Sequence, residues 1–70
     1  MSLTLREWRR LKEITQKEMA ERLSIHINTY QKWEGRPGSI PFNYAVKIAK
    51  TLDVPLDEII FKAKNDEETA

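Results

Sequence analysis

The sequence predicts an all-α fold, a compact bundle of five short helices. Three observations favour this fold. Apolar residues recur at intervals of three and four along most of the chain, which is the helical period. Two Thr-x-x-Glu sequences, at positions 4–7 and 15–18, are of the kind that caps a helix at its N-terminus. The two Gly and three Pro residues are confined to positions 35–41 and 55, between the apolar stretches.

The first helix is expected to begin after Thr4, whose hydroxyl can cap it while Glu7 reaches back to the cap residue. Leu5, Trp8 and Leu11 then form an apolar stripe that faces the core. Arg6, Arg10 and Lys12 are expected to stay in solvent, while Arg9 lies beside the stripe and is expected to be partly buried.

The stretch from residue 15 to residue 35, TQKEMAERLSIHINTYQKWEG, predicts two further helices, at about 16–23 and 26–33. Ser24 lies where the chain must turn sharply, so a left-handed backbone is expected there. Two helices joined by so short a turn cross steeply, and the small Ala20 lets their backbones approach. The outer face of the later helix stays free and has the dimensions to enter a DNA major groove, which makes DNA binding the first functional prediction.

After that unit, Gly35 is expected to end the third helix, and 36–38 (Arg-Pro-Gly) to form a type II turn. A fourth helix follows at about 42–52. A short fifth helix contains the apolar residues Leu56, Ile59, Ile60 and Phe61. Residues 1–61 are therefore predicted to form one domain, and 62–70 a charged, flexible C-terminal tail.

The charges are unevenly distributed along the chain. The formal net charge of the 70 residues is only +1, but residues 1–52 carry +5 and residues 53–70 carry −4. Such asymmetry suits a domain with one basic face, and ordinary surface charges that happened to segregate explain it equally well. The sequence contains no Cys and no apolar run near the roughly 20 residues of a membrane span. We therefore expect a cytoplasmic protein with no membrane contact.

Catalysis is not expected. A single His, no Cys and scattered carboxylates provide no nucleophile with a base beside it and no cluster of metal ligands. The acidic run 66–68 is a weak metal-binding candidate at most, so no metal, cofactor or catalytic residue is predicted.

In this order and spacing, the motifs resemble the Cro/CI-type (XRE-like) helix-turn-helix domain of phage and bacterial transcriptional regulators. The resemblance covers about residues 4–61. It depends on Arg9, Ile14-Thr15-Gln16, Ala20, Trp33-Glu34-Gly35 and the run AVKIAKTLDVPLDEII. It implies a lambda-repressor-like fold and a repressor that binds double-stranded DNA sequence-specifically. It also implies that Arg9 and Glu34 form a half-buried structural pair that does not contact DNA.

Three positions depart from the family pattern. Ser24 and Glu13 stand where the family commonly has glycine, which costs stability without forbidding the turns. Ile27 is apolar where the family usually has a polar base reader. It could meet a thymine methyl group, or equally a protein.

The base-contacting residues are predicted on the outer face of the third helix. Asn28 can pair with adenine N6 and N7, and Lys32 can donate to guanine O6 and N7 or to a phosphate. The residues implied to contact bases are Ile27, Asn28, Gln31 and Lys32.

The predicted phosphate contacts surround that face. Gln16 opens the second helix, where the backbone N–H groups and the helix dipole attract an anion. The predicted phosphate contacts are Gln16, His26, Thr29, Arg36, Asn43 and Tyr44. The alternative for each is an ordinary solvated or half-buried side chain, and for His26 also a cap at the start of the third helix.

Two kinds of partner are predicted. One recognition helix covers only a few base pairs, so a homodimer on an inverted-repeat operator is expected, with Ile60, Phe61, the fourth helix and the tail as candidate dimer surfaces. The alternative function is a module that binds a partner repressor protein, as an antirepressor does. The low net charge and the apolar Ile27 permit it.

Overall fold

The computed structural model describes residues 1–62 and contains, in that part of the chain, four α-helices, two 3-10 turns and one two-stranded sheet. The helices are α1 (Leu5–Leu11), α2 (Gln16–Leu23), α3 (Ile27–Gly35) and α4 (Phe42–Leu52). The 3-10 turns are Pro37–Ser39 and Leu56–Glu58, and the strands are β1 (Leu3–Thr4) and β2 (Ile59–Ile60). The predicted helical bundle is thus confirmed for four of its five helices. The longest of them has 11 residues, and within 1–62 no helix is long and apolar enough to cross a membrane.

Both predicted capping boxes are present. The Thr4 and Thr15 hydroxyls accept hydrogen bonds from the backbone N–H groups of Glu7 and Glu18, at 3.2 and 3.0 Å. In return, the two Glu side chains accept from the Thr backbone N–H groups at 2.9 Å. Hydrogen bonds from the backbone and then the side chain of Thr15 lower the pKa of Glu18. These boxes fix where α1 and α2 begin.

Three helices end in the same way. Glu13, Ser24 and Asp53 follow α1, α2 and α4 with φ near +58°, the left-handed conformation expected of Ser24. In each case the next backbone N–H donates to the carbonyl five residues earlier at 3.0–3.1 Å, which is the Schellman pattern. The residue after each stop is apolar and packs against the core: Ile14, Ile25 and Val54.

The core lies where α1, α2, α3 and α4 meet. Tyr30 and Ile48 are completely buried, and the small Ala20 is 3% exposed on α2, which packs against both α3 and α4. The largest fully buried side chains are Tyr30, Leu5, Met19, Leu23, Ile48 and Leu52. Leu11, predicted to belong to the apolar stripe of α1, is 57% exposed because α1 ends there and the chain turns away.

The predicted fifth helix is wrong. Leu56–Glu58 is a 3-10 turn, and Ile59–Ile60 is a strand that pairs in parallel with Leu3–Thr4. Two β-branched residues favour extended backbone, and so short a helix would be unstable alone. The indole Nε1 of Trp8 donates to the carbonyl of Glu58 at 2.8 Å, so that the end of the domain is attached to its beginning. Apart from Lys62, the predicted tail lies outside the described residues.

Gly35 is the last residue of α3, so the helix ends where it was expected to, although Gly35 keeps a helical backbone and not a left-handed one. Gly38 also lacks a positive φ, so the predicted type II turn is wrong. Residues Pro37–Ser39 form a 3-10 turn instead, in which the Ser39 hydroxyl donates to the Arg36 carbonyl at 2.7 Å. A proline ring at the first position suits that turn as well as a type II turn.

Introducing a glycine at position 24 and removing the one at position 35 should both stabilise the domain. Ser24→Gly removes the cost of a left-handed backbone, and a Cβ added at Gly35 meets nothing within 4 Å. We expect Ser24→Gly and Gly35→Ala each to raise the free energy of unfolding by about 0.5–1 kcal/mol in urea titrations. Ser24→Ala is the matched control and should give no gain, because it keeps the Cβ. A loss of stability in Ser24→Gly would contradict this account of the turn.

Candidate nucleic-acid interface

Helix α3 presents one polar face to solvent. Asn28, Gln31 and Lys32 are exposed, and their spacing of three and four residues places them side by side. The opposite side of the helix contributes Tyr30 and Trp33 to the core. The helix is thus fixed along one side and free along the other.

The beginning of this face is defined by His26. The helix begins at Ile27 and His26 caps it, as its place at the helix N-terminus allows: its Nδ1 accepts from the backbone N–H of Asn28 at 3.1 Å. An accepting Nδ1 leaves the hydrogen of the neutral ring on Nε2. His26 is exposed, so that this second nitrogen can donate to an external acceptor.

Other predicted contacts are less accessible. Ile27 and Thr29 are half-buried, and Ile27 packs against the core, so only part of its side chain can reach a groove. Tyr44 is also half-buried, its ring 5.0 Å from that of Trp33 at an angle of 55°. Lys47, which the sequence did not single out, places its Nζ 5.3 Å from the centre of the same ring. Arg36 and Asn43 are exposed.

The structure brings Arg9 and Glu34 together as an ion pair. Arg9 Nε and Nη2 donate to the two carboxylate oxygens, and its Nη1 donates to the carbonyl of Ile14 at 2.8 Å. The side chain of Glu34 is fully buried and that of Arg9 is 11% exposed. The pair therefore lies inside the domain, which fits the structural role implied by the family resemblance.

Two further residues contact the Glu34 carboxylate, and sequence reasoning missed both contacts. Arg6 Nε lies 3.4 Å from Oε1, and Gln16 Nε2 donates to the same oxygen at 2.9 Å. Arg6 stands one helical turn before Arg9, so its spacing could have revealed it. The Gln16 contact joins residues 18 positions apart and has no local signal.

These contacts determine the protonation state of the buried groups. Burial raises the pKa of Glu34, but hydrogen bonds from its neighbours, Arg9 first, together outweigh it, and the pKa lies below the usual 4.5. The hydrogen bond to Glu34 raises the pKa of Arg9. Burial, and then the adjacent Glu34, raises the pKa of Tyr30, whose hydroxyl lies beside the pair without hydrogen-bond geometry to any described residue. Glu34 is thus ionised, while Tyr30 stays a neutral phenol.

Gln16 connects this buried carboxylate to the exposed face of α3. Its Oε1 accepts from Gln31 Nε2 at 3.2 Å while its Nε2 donates to Glu34. The first residue of α2 therefore lies next to the exposed face, with the free N–H groups of that helix end close by. Of all the predicted contact residues, Gln16 and Gln31 are the pair joined by a hydrogen bond between side chains.

Within residues 1–62, no group of three or more His, Asp or Glu side chains could hold a metal ion. The acidic run 66–68, a weak metal-binding candidate by sequence, lies outside the described residues.

Comparison with known proteins assigns this architecture to a family. A family model described as Helix-turn-helix matches residues 5–59, from the start of α1 to the first residue of β2. The chain belongs to the Cro/CI-type helix-turn-helix family. Within this family's unit, α2 and α3 are the two helices of the motif, and α3 is its second, exposed helix.

A curated relative agrees with that assignment. The cryptic phage CTXphi transcriptional repressor RstR of Vibrio cholerae serotype O1 is 34% identical over 53 residues, which cover 76% of this chain and 47% of that protein. The helix-turn-helix chain thus spans about half the length of the curated relative it matches. No solved structure matches it.

The buried pair predicts a specific loss of stability in acid. Glu34→Gln should lower the free energy of unfolding at pH 7 by about 3 kcal/mol, because Arg9 then lacks its charged partner. The folded-state pKa of Glu34 is depressed, so its stabilisation is complete above the unfolded value near 4.5 and disappears as the pH falls through the lower, folded value. The free energies of unfolding of the wild type and of Glu34→Gln, measured in urea at a series of pH values, should therefore approach each other below about pH 4.5.

Glu21→Gln is the control, since Glu21 is exposed. Its stability should follow that of the wild type. If the difference in free energy of unfolding between the wild type and Glu34→Gln stays constant down to pH 3, the proposed stabilisation by the Arg9–Glu34 pair is contradicted.

Proposed function

We propose that this chain is a sequence-specific transcriptional regulator, a repressor of the Cro/CI type, that binds double-stranded DNA in the cytoplasm with α3 in the major groove. The observation that carries the proposal is the arrangement of Asn28, Gln31 and Lys32 on one exposed face of a helix anchored in the core. A helix of this kind fits a major groove about 12 Å wide. The relative in Vibrio cholerae is named as a transcriptional repressor, which supports the same role here.

The bases are contacted from that exposed face. Asn28 donates to and accepts from adenine, and Lys32, one turn later, donates to guanine or to a phosphate. Gln31 reads the neighbouring position. The exposed part of Ile27 gives an apolar contact to a thymine methyl group.

The phosphates lie along the two flanks of α3. Gln16 begins α2, and since one N–H of its amide donates to Glu34, the second remains for a phosphate oxygen at the positive end of the helix. His26 offers its Nε2–H. The remaining proposed phosphate contacts are Thr29, Arg36, Asn43 and Tyr44, with the charge of Lys47 beside the last.

The protein binds its operator as a homodimer on an inverted repeat. An apolar groove lies between α4 and the C-terminal segment, lined in part by Ile40, Phe42, Leu56 and Phe61. Phe42 is 74% exposed and Ile60 37% exposed. Phe42 lines this groove, and an exposed apolar side chain there supports the use of the groove as the dimer surface. Ile60 and Phe61 were among the candidates proposed from the sequence.

DNA binding is tested by its dependence on salt. Fluorescence anisotropy with duplexes from the DNA flanking the protein's own gene should give an affinity that falls steeply with salt, with a log–log slope of about −0.9 for each phosphate neutralised. In the same titration, Asn28→Ala should lose about 1–3 kcal/mol of discrimination at one base position, whereas Gln16→Ala should weaken binding to every duplex, random ones included, because a phosphate contact is lost.

Two results would count against this assignment. Equal losses on specific and random DNA from Asn28→Ala would remove its role in reading bases. If the chain binds no duplex and instead forms a salt-insensitive complex with another repressor, the alternative in which it binds a protein partner is favoured.

The dimer is tested with a matched pair of variants. Phe42→Asp places a charge in the proposed interface and should raise the dimer dissociation constant about tenfold or more in sedimentation equilibrium. Leu11→Asp is the control, because Leu11 is also an exposed apolar residue but lies on α1, outside the groove. A wild-type chain that remains monomeric at all concentrations, including on DNA, would overturn the dimer.

A further inference from the structure

A second apolar groove lies at the C-terminal end of α4, beside the loop that follows this helix. Its volume is about 460 Å³. Leu56 lines both this groove and the one proposed as the dimer surface. The half-buried Val46 and Val54 line it together with the buried Ala49. Its walls are therefore largely apolar and still in part open to solvent.

Two opposite charges line the same groove. Lys50 and Asp53 belong to it, and both side chains are exposed. Within residues 1–62, neither of them forms an ion pair or a side-chain hydrogen bond. Their spacing of three residues places them next to each other at the end of the helix. The groove thus presents one cation and one anion that have no partner in the described part of the chain.

The backbone holds these two residues in defined positions. Asp53 follows α4 with a φ of 58°, and its N–H donates to the carbonyl of Lys50 at 3.2 Å. The next N–H, that of Val54, donates to the carbonyl of Ala49 at 3.0 Å, and Val54 packs against the core. A partner therefore meets a backbone that is already ordered, which reduces the entropic cost of binding.

We propose that this groove, called here the Lys50–Asp53 face, binds the same face of a second copy of the chain across a two-fold axis and so joins two dimers into a tetramer. In such an isologous contact, every pairing between the two copies occurs twice. Lys50 of each copy meets Asp53 of the other, and the apolar walls of the two grooves pack together.

The charges favour a second copy over other occupants. Asp53 repels DNA and acidic peptides, and Lys50 repels basic peptides. The matching partner carries one cation and one anion at the same spacing and in reversed order, and a copy related by a two-fold axis meets this condition by symmetry. A stable interface uses about 20–30 residues a side, far more than line this groove. The contact is therefore weak and adds to the dimer without replacing it.

The contact goes beyond the proposed function and does not depend on DNA. The proposed dimer uses the groove beside Phe42 and Phe61, and Phe42 is not among the residues that line the Lys50–Asp53 face. Phe42→Asp, which weakens that dimer, therefore leaves the second contact to be measured by itself, as association of monomers into dimers.

The experiment is sedimentation equilibrium of the full chain from micromolar to millimolar concentration. The wild type should form dimers and, at higher concentration, tetramers, whereas Phe42→Asp should form dimers only. Lys50→Glu and Asp53→Lys, each added to Phe42→Asp, replace two attractive pairs by two repulsive ones. Each should raise the dissociation constant of the remaining contact about tenfold or more.

Mixing the two charge variants should restore the contact. In a 1:1 mixture, the introduced glutamate of one chain faces the introduced lysine of the other, and the remaining Asp53 faces the remaining Lys50. The mixture should therefore associate as tightly as Phe42→Asp alone. Misfolding of either variant would not be repaired by mixing, so that this recovery separates the contact from a loss of folding.

Arg22→Glu, added to Phe42→Asp, is the matched control. Arg22 is exposed in the last turn of α2, as Lys50 is in the last turn of α4, and the change in charge is the same. This variant should associate as Phe42→Asp does, because Arg22 does not line the groove.

Three results would overturn the contact: a Phe42→Asp chain that stays monomeric at millimolar concentration, charge variants that associate as tightly as their parent, or a mixture that associates no more tightly than its components. Failure of the wild type to bind any duplex, with the mixture restoring association, would instead overturn the proposed function and support the Lys50–Asp53 face.

Discussion

The carboxylate of Glu34 carries its charge where solvent does not reach, and the arrangement of the first three helices follows from the need to satisfy it. An unpaired charge in that environment would cost several kcal/mol. Arg9 on α1 neutralises it and Gln16 on α2 donates to it, while Glu34 itself belongs to α3. Apolar packing tolerates small rotations of a helix, but hydrogen bonds have preferred directions. Three helices that meet on one carboxylate are therefore oriented more closely than the core alone would require.

The short loops make this meeting possible. After α1, α2 and α4, one residue adopts the left-handed conformation, and the apolar residue that follows it packs against the core. The chain reverses within a few residues and loses little length in irregular structure. Side chains in place of glycine at Glu13, Ser24 and Asp53 cost some stability, which the packing of the following residue offsets. Because these loops are short, most of the 62 described residues belong to helices that can contribute to the core.

Much of the local structure could be predicted from the sequence because its causes are local. The two Thr-x-x-Glu boxes, the left-handed Ser24 and the limits of α2 depend on neighbours within four residues. The type II turn predicted at residues 36–38 failed because the turn residues there are compatible with several conformations, whereas α3 does end at Gly35 as predicted. The prediction of a fifth helix was wrong for a related reason. The apolar spacing of residues 56–61 suits a helix, but Ile59 pairs with Leu3 in a parallel strand, far away in the sequence.

For the candidate site, the sequence by itself determined the residue types and the helix that carries them: Asn28, Gln31 and Lys32 share a face because the helical period places them there. It also provided the opposite charges of Arg9 and Glu34. Only the tertiary structure decided that Gln16 lies between Glu34 and Gln31, and that Ile27 is partly covered by the core. These contacts join residues far apart in the chain, and their geometry depends on how whole helices pack, which no local pattern of residues encodes.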